Sequence, residues 1–155
     1  MLELKVEEFL GQTTTAASVR PPLLPLNDEG YLAVIATDGI DLKSFKYKQG
    51  DRAGQTGYRM TVKWEIMDEA IKAFCKEKNR LPYITQSIML NITPEGALAA
   101  ENPGLKALRE AVNQNTDGQP WSPSMLIGQV AKIRLNNRID DKGDQQEEVG
   151  QVTKA

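Results

Sequence analysis

The sequence predicts a mainly β fold with two helices, in which five antiparallel strands form a barrel. Five segments have the apolar or alternating composition of strands, and two others carry apolar residues at helical spacing. Each predicted strand has a single apolar face. One buried face suits an antiparallel sheet better than a parallel one, because parallel sheets are covered on both sides.

The first two predicted strands cover residues 31–37 and 58–67. The first is a compact apolar run with β-branched residues, and the second alternates cleanly. The apolar face of the second holds Tyr58, Met60, Val62, Trp64 and Ile66, and its polar face holds Arg59, Thr61, Lys63 and Glu65. We therefore expect Tyr58 and Trp64 to belong to the core.

The remaining strands are predicted at residues 83–92, 131–138 and 149–152. In the third strand the inward positions are apolar except for Gln86. In the fourth, apolar residues alternate with a polar row that contains Lys132, Arg134 and Arg138. The short fifth strand follows a turn at residues 140–143.

One helix is predicted between the second and third strands, at residues 68–78. It has acidic residues in its first turn and basic residues in its last, which complements the helix dipole. A second helix, at residues 103–114, is expected between the third and fourth strands. Asn102 is its predicted cap and Pro103 its first residue.

Length and charge set the limits for function. The chain has 155 residues, which fits one domain with a proper core. We expect that domain at residues 24–155, after an N-terminal arm or linker at 1–23. No histidine is present, so histidine-dependent catalytic triads and histidine-ligated zinc are excluded. The lone Cys75 lies among apolar residues and is expected to be a buried small hydrophobe.

The chain shows no apolar run of the roughly 20 residues that a membrane span needs. Its N-terminus also lacks the basic and then apolar pattern of a signal peptide. A soluble, cytosolic protein is therefore expected.

No motif in the sequence requires catalysis, a cofactor or a metal. An acidic cluster at residues 140–148 could be a cation site, but its spacing does not match a calcium-binding loop. A solvated hairpin turn is the favoured interpretation. Ser122 and Ser124 lack a histidine to activate them, so the protein is not expected to be an enzyme.

The informative stretch is basic and aromatic. Residues 43–63 carry six positive side chains and one negative, a balance of +5 within a chain of net charge -2. Cations that follow phosphates, interleaved with rings that stack on unpaired bases, are what single-stranded nucleic acid requires. The polar row of the fourth strand could lie beside this stretch, so that two basic rows form a groove.

A structural alternative stays open for the aromatic residues. In a strict strand Phe45 and Tyr47 point away from Lys46 and Lys48, so the rings could be core and the lysines plain surface. Tyr83 lies on the polar face of its strand and is the better candidate for stacking on a base.

The order of motifs resembles a known family. Residues 30–35, 57–66, 85–93 and 126–134, with a helix that carries Leu105 and Leu108, resemble small bacteriophage proteins with an OB-fold that bind single-stranded DNA. These proteins act in replication and recombination. The resemblance covers about residues 24 to 152 and rests on the order of short hydrophobic motifs.

The resemblance implies a five-stranded Greek-key OB-fold barrel with a helix between the third and fourth strands. DNA would cross the face of the second and third strands, between the 43–52 loop and the loop that joins the last strands. The implied contacts, together with Thr61, are Phe45, Lys46, Tyr47, Lys48, Arg52, Arg59, Lys63, Tyr83, Lys132, Arg134 and Arg138. The family pattern differs at residues 68–82, which are longer and more helical than a simple hairpin.

The sequence thus leads to the hypothesis of a non-catalytic protein that binds single-stranded DNA with little sequence preference. The resemblance implies phage replication or recombination proteins as further partners, with the oligomeric state left open, in the cytoplasm of an infected bacterial cell. The chain ends without the acidic tail that many such proteins use for recruitment, so that route is not expected. The alternative is an OB-fold module for protein interaction or assembly that binds no nucleic acid.

Overall fold

The computed structural model describes residues 22–155 together with Val6, Leu10 and Gly11. Most of the predicted arm at residues 1–23 therefore lies outside the described residues. The described part contains five antiparallel strands in one sheet and two α-helices. The mainly β class, the number of strands and the positions of both helices in the strand order are confirmed.

The elements follow one another with short connections. Their bounds are β1 Tyr31–Lys46, β2 Thr56–Ile66, α1 Glu69–Glu77, β3 Tyr83–Leu90, α2 Pro103–Ala111, a 3-10 helix at Pro123–Leu126, β4 Val130–Ile139 and β5 Gln145–Thr153. The first and last strands are longer than predicted. β1 continues through Asp41 and Lys43 because β2 supplies hydrogen-bonding partners along its whole second half, as far as the pair Lys46 and Thr56. The predicted 43–52 loop is therefore partly strand.

The strand order in the sheet is β3-β2-β1-β4-β5, so β3 and β5 are its two edges. Helix α2 packs against both edge strands, and the two edge strands also contact each other. Gly104 allows a close approach, since a side chain there would meet Ile88 of β3 at 2.6 Å. Within the described strands no backbone ladder joins β3 to β5, so the sheet is not closed into the predicted barrel.

A large bulge bends β1 in the middle of its length. The register with β2 jumps between Ile35 and Ile40. Before the bulge β1 pairs with both β2 and β4, and after it with β2 alone. Gly39 is required inside the bulge, because a Cβ atom there would lie 2.9 Å from the carbonyl oxygen of Ala36 and 3.0 Å from that of Lys63.

The core lies between the concave face of the sheet and the two helices. Trp64, Ile66, Ile35 and Ile133 are among its fully buried side chains, which confirms the predicted apolar face of β2 for Trp64 and its neighbours. Tyr58 is only half-buried, so its prediction as a core residue is wrong. It lies in β2 near the 47–55 turn, where the hairpin extends past the edge of the core.

Both helices end in the same way. Asn79 follows α1 and Asn113 follows α2, each in the left-handed conformation with φ of 57° and 59°. The next amide in each case reaches back into the last turn: Arg80 N–H donates to the Cys75 carbonyl, and Gln114 N–H donates to that of Arg109. This motif stops α2 at Ala111, three residues earlier than its periodicity predicts.

The helix starts differ in how they are capped. Asp68 caps α1, since its carboxylate accepts a hydrogen bond from the Ile71 amide at 3.0 Å. Asn102 occupies the cap position of α2 but makes no side-chain cap. Its buried amide instead bonds the backbone of Asn91 at 2.6 and 3.1 Å, which ties the start of α2 to the end of β3. Among the described residues no helix has the length and apolar character to cross a membrane.

Candidate nucleic-acid interface

The outer face of the β1–β2–β3 part of the sheet brings together several of the predicted contacts. The register places Arg59 of β2 between Lys43 of β1 and Met89 of β3. Lys63 lies opposite Thr85, and Phe45 lies opposite Gly57. Directly paired residues of an antiparallel sheet share a face. Lys43, Phe45, Arg59, Lys63 and Thr85 therefore lie on one surface, which we call the basic face.

Phe45 and Tyr47 pack against each other on this face and do not belong to the core. Their ring centroids are 5.1 Å apart with an angle of 67° between the planes. Both rings lie over Gly57, where a Cβ atom would come within 2.5 Å of Phe45 Cζ and 2.8 Å of the Tyr47 ring. Glycine at this position therefore makes room for the aromatic pair, and the alternative that the two rings are core residues is wrong.

Each aromatic residue of the basic face has a cation near its ring. The Arg59 guanidinium carbon is 6.0 Å from the Phe45 centroid, and that of Arg52 is 5.6 Å from the Tyr47 centroid. Arg52 also donates a hydrogen bond of 3.3 Å to the Tyr47 hydroxyl. Such cation–π contacts orient the long basic side chains without neutralising their charge.

A third cation–ring pair lies at the other end of the same face. Lys63 Nζ is 4.4 Å from the centroid of the Tyr83 ring. Tyr83 begins β3 opposite Glu65, so this pair is about four residues along the sheet from Arg59. Cation–ring pairs thus lie at both ends of the basic face, and the register places Asp41 and Glu65 on the same side of the sheet.

Ion pairs compensate little of this charge. Lys43 approaches the Asp41 carboxylate at 3.8 Å, with both side chains exposed. Within residues 22–155 neither Arg59 nor Lys63 forms an ion pair. A positive surface whose charges have no carboxylate partner attracts an anion at a smaller desolvation cost than a paired one.

The structure does not bring every predicted contact to the basic face. Lys46 pairs with Thr56 on the opposite side of the β1–β2 hairpin, where it is exposed beyond the core. Lys48 and Arg52 lie in the turn that connects the two strands and are exposed. These three cations therefore surround the end of the hairpin, and only Arg52 contacts the aromatic pair.

The basic row of β4 is separated from the basic face. Lys132 lies opposite Leu32 of β1, whose carbonyl accepts a hydrogen bond from the amide of Met67 just after β2. Along β2 this level is about 27 Å from Arg59 and about 14 Å from Lys63, at roughly 3.4 Å per residue. Arg134 follows farther from β2, and Arg138 forms an exposed ion pair of 3.2 Å with Glu148. In the strand order, β1 thus lies between the basic row of β4 and that of β2.

The sequence interpretation missed Arg80, which organises the Tyr83 end of the face. Its guanidinium donates to Glu147 at 2.8 Å, to the Pro22 carbonyl at 2.6 Å and to the Tyr83 carbonyl at 3.0 Å. Glu147 in turn accepts from the Leu24 amide at 2.8 Å. This network, the Arg80 clamp, fixes the segment before β1 and the start of β3 against β5. The only local sign was Asn79, a residue type that favours the end of a helix.

A cavity of about 910 Å³ opens beside the Arg80 clamp. The lining residues are Pro22, Leu23, Lys63, Lys78, Asn79, Arg80, Leu81, Tyr83, Gln145, Gln146 and Glu147. It therefore shares Lys63 and Tyr83 with the basic face.

The acidic cluster at residues 140–148 forms the β4–β5 hairpin turn, as predicted. One carboxylate oxygen of Asp140 accepts the amides of Lys142 and Asp144, each at 2.9 Å. The carboxylates of Glu147 and Glu148 form ion pairs with Arg80 and Arg138 instead. In the described part of the chain no group of three or more potential ligands is arranged to hold a metal ion.

Two buried groups have perturbed ionisation. Burial raises the pKa of the Cys75 thiol; the Arg80 guanidinium opposes this shift and the Glu147 carboxylate adds to it. Burial also raises the pKa of Tyr31, and the charge of Asp68 acts in the same direction. Cys75 is almost completely buried, so its predicted role as a small core hydrophobe is confirmed.

No protein-family model matches the chain, and no curated protein matches it with significant similarity.

Proposed function

We propose that the protein binds single-stranded DNA without catalysis and with little sequence preference, and that the basic face is its binding surface. One observation carries the proposal. Arg59 and Lys63 lie on the same face as aromatic rings and have no ion-pair partner within the described residues. Phe45, Tyr47 and Tyr83 supply those rings.

The chemistry of the face suits an unpaired strand better than a duplex. Cations bind phosphates in either form of DNA, but the face of an aromatic ring stacks only on a base that has left its partner. Stacking of one base on an aromatic side chain contributes about 1–3 kcal/mol and accepts any base. Rings interleaved with cations therefore support tight binding with little preference for sequence.

The proposal includes an OB-fold. The strand order and the position of α2 beside the two edge strands support it. An OB-fold is a five-stranded, partly open Greek-key barrel, and its second and third strands bind oligonucleotides. The basic face lies on the corresponding strands. The resemblance to phage proteins supports a role for this activity in phage DNA replication or recombination.

Salt dependence tests the proposal directly. If the protein neutralises about four phosphates, log affinity falls against log salt concentration with a slope of roughly -3. The measurement is fluorescence anisotropy of a labelled oligo-dT at several salt concentrations. Duplex DNA and RNA of equal length serve as comparisons. Absence of salt-sensitive binding to oligo-dT at low ionic strength would overturn the proposal.

Removal of single charges tests whether the basic face is the DNA-binding surface. Arg59→Ala and Lys63→Ala each remove one expected phosphate contact, so each should weaken binding and reduce the salt slope by about 0.7. Lys106→Ala is the matched control, because Lys106 is an exposed cation on helix α2 and does not belong to the basic face. Equal effects of all three substitutions would show that binding depends on net charge and not on the basic face.

The rival function is a docking module for a protein partner. Exposed apolar side chains at Leu32, Met67 and Val130 favour it, because the register brings them together on the outer face away from Arg59. On this alternative, charge reversal at Arg59 and Lys63 leaves protein binding intact. A co-purified protein without co-purified nucleic acid would support the rival.

A further inference from the structure

We propose that the cavity beside the Arg80 clamp is a site for a single nucleotide. The inference rests on the proposed function in one respect: a bound single strand that runs along β2 would deliver the nucleotide. The same chemistry would also accept a free mononucleotide. Its volume of about 910 Å³ lies within the range of about 300–1,000 Å³ that is usual for small-ligand sites.

The walls of the cavity divide into parts that match the parts of a nucleotide. Pro22, Leu23, Leu81 and the Tyr83 ring give it an apolar and aromatic side, which suits the flat face of a base. Lys63 and Lys78 supply positive charge for a phosphate. Neither lysine has an ion-pair partner within residues 22–155.

Amide side chains provide the groups that recognise the edge of a base. Asn79, Gln145 and Gln146 line the cavity, and each amide carries both a donor and an acceptor. Within the described residues Asn79 and Gln145 make no side-chain hydrogen bond, so both are available to a ligand. Gln146 is oriented by its bond of 3.0 Å to Asp140.

The Arg80 clamp ties several backbone groups of the cavity wall together. Both side chains of the Arg80–Glu147 pair are largely shielded from solvent, with 10% and 15% exposure. The clamp holds the Pro22 carbonyl, the Leu24 amide and the Tyr83 carbonyl in fixed positions. Arg80 is therefore a positioning residue, and Lys78, Asn79 and Gln145 are the groups that would contact the ligand. A pre-organised site binds without the cost of ordering its walls.

The position of the cavity defines a path for the bound strand along the basic face. Arg59 lies at one end of the basic face, and the pair of Lys63 and Tyr83 at the other end is shared with the cavity. A strand that follows β2 reaches the cavity after its bases have passed the open part of the face. One base would then lie in the cavity and contact its amides, whereas the others stack without discrimination.

Backbone amide NMR shifts of the full chain test the inference with defined probes. The four deoxynucleoside monophosphates are titrated separately, and thymidine and inorganic phosphate are titrated as partial ligands. We expect shifts confined to the amides around Leu23, Lys63 and residues 78–83 and 145–147, larger for a mononucleotide than for either partial ligand. In a second titration, oligo-dT should shift these amides together with those of the basic face.

Matched variants separate a specific site from a charged surface. Gln145→Ala and Lys78→Ala should each raise the mononucleotide Kd by about fivefold, as expected for the loss of one hydrogen bond or charge contact. Gln151→Ala and Lys106→Ala should leave it unchanged, because neither residue lines the cavity. If the cavity variants and the control variants change the mononucleotide Kd equally, the proposed site is wrong.

The outcomes distinguish this inference from the proposed function. If oligo-dT shifts the basic face and no mononucleotide shifts the cavity, the inference fails and the proposed function stands. If mononucleotides shift the cavity and oligo-dT does not bind, the cavity is a site for free nucleotides and the proposed function fails. Shifts from inorganic phosphate equal to those from mononucleotides would overturn the recognition of a base.

Discussion

Trp64 is fully buried, and its indole N–H donates a hydrogen bond of 2.9 Å to the side-chain carbonyl of Gln86 on β3. This bond explains why a polar residue interrupts the apolar face of β3. A buried indole N–H without a partner would lose its hydrogen bond to water and gain nothing in return. The pair therefore joins two neighbouring strands inside the core.

Replacement of Gln86 by leucine removes the partner of the indole. We expect Gln86→Leu to lower the free energy of unfolding by about 1–3 kcal/mol, the cost of one unsatisfied buried polar group. Urea unfolding measures it, with Ser87→Ala, on the exposed side of the same strand, as the control. In a Trp64→Phe background the cost should shrink, and an unchanged cost would contradict the assignment.

The alternation of β2 was sufficient to predict which of its residues face outward, because a period of two follows directly from strand geometry. Arg80 could not be predicted in this way. Its partners Pro22 and Glu147 are 58 and 67 positions away in the chain. A contact of this kind depends on how separate elements pack, and one sequence does not show it.

Strand β5 carries two consecutive glutamates that form very different ion pairs. Glu147 faces Arg80 in the shielded clamp, whereas Glu148 pairs with Arg138 at the surface with side-chain exposures of 44% and 60%. Removing one partner of a buried pair leaves an uncompensated charge, and a surface pair is screened by water and salt. The two pairs thus provide an internal comparison.

The comparison predicts unequal losses of stability. Arg80→Met should lower the free energy of unfolding by about 3 kcal/mol, since Glu147 and the carbonyls of Pro22 and Tyr83 lose their partner. Arg138→Met should lower it by less than about 1 kcal/mol. Chemical denaturation of both variants at the same pH measures the difference. Equal losses would show that the Arg80 clamp contributes no more than a surface pair.

Element boundaries were predictable where a local signal exists. The start of α1 was predicted to within one residue of its cap Asp68. The end of α2 was predicted three residues too late, because apolar periodicity does not show that Asn113 adopts the left-handed conformation. The second half of β1 was not predictable, because its exposed Asp41 and Lys43 resemble a loop and only the pairing with β2 makes them strand. The bulge at Gly39 likewise depends on the carbonyl of Lys63 from the neighbouring strand.

Two buried groups that lose a proton at alkaline pH, the Cys75 thiol and the Tyr31 hydroxyl, make the stability of the protein depend on pH. The pKa values of Cys75 and Tyr31 are raised above their ordinary 9.0 and 10.0, in both cases chiefly by burial. At a pH below these values both the folded and the unfolded chain hold the two protons, so ionisation of these groups does not lower the free energy of unfolding. As the pH rises, the unfolded chain releases its protons first, which favours unfolding.

We therefore expect the urea midpoint to fall as the pH rises above about 9. Cys75→Ala should remove the part of this fall that begins near the ordinary thiol pKa, whatever its effect at neutral pH. The measurement compares the midpoints of the native and variant proteins between pH 8 and 11. Parallel curves over this range would contradict a coupling between the thiol and folding.

Most of the architecture could be predicted from the sequence, but the sequence does not show whether the sheet closes into a barrel. Local patterns identify five strands and two helices because burial imposes periods of two and 3.6 on the sequence. Whether β3 and β5 pair through backbone hydrogen bonds depends on the curvature of the sheet and on α2, which contacts both strands. The position of the basic row of β2 relative to that of β4 also depends on the strand order, in which β1 lies between them.

The central position of β1 has a consequence for the speed of folding. The β1–β2 and β4–β5 hairpins each close a short stretch of chain, but the pairing of Tyr31 with Ile133 brings together distant parts of the sequence. The Leu24–Glu147 bond spans 123 positions. Contacts over such separations are costly in chain entropy, so the docking of the two hairpins is expected to limit the folding rate. The protein should accordingly fold in milliseconds to seconds, as proteins rich in distant strand pairings do.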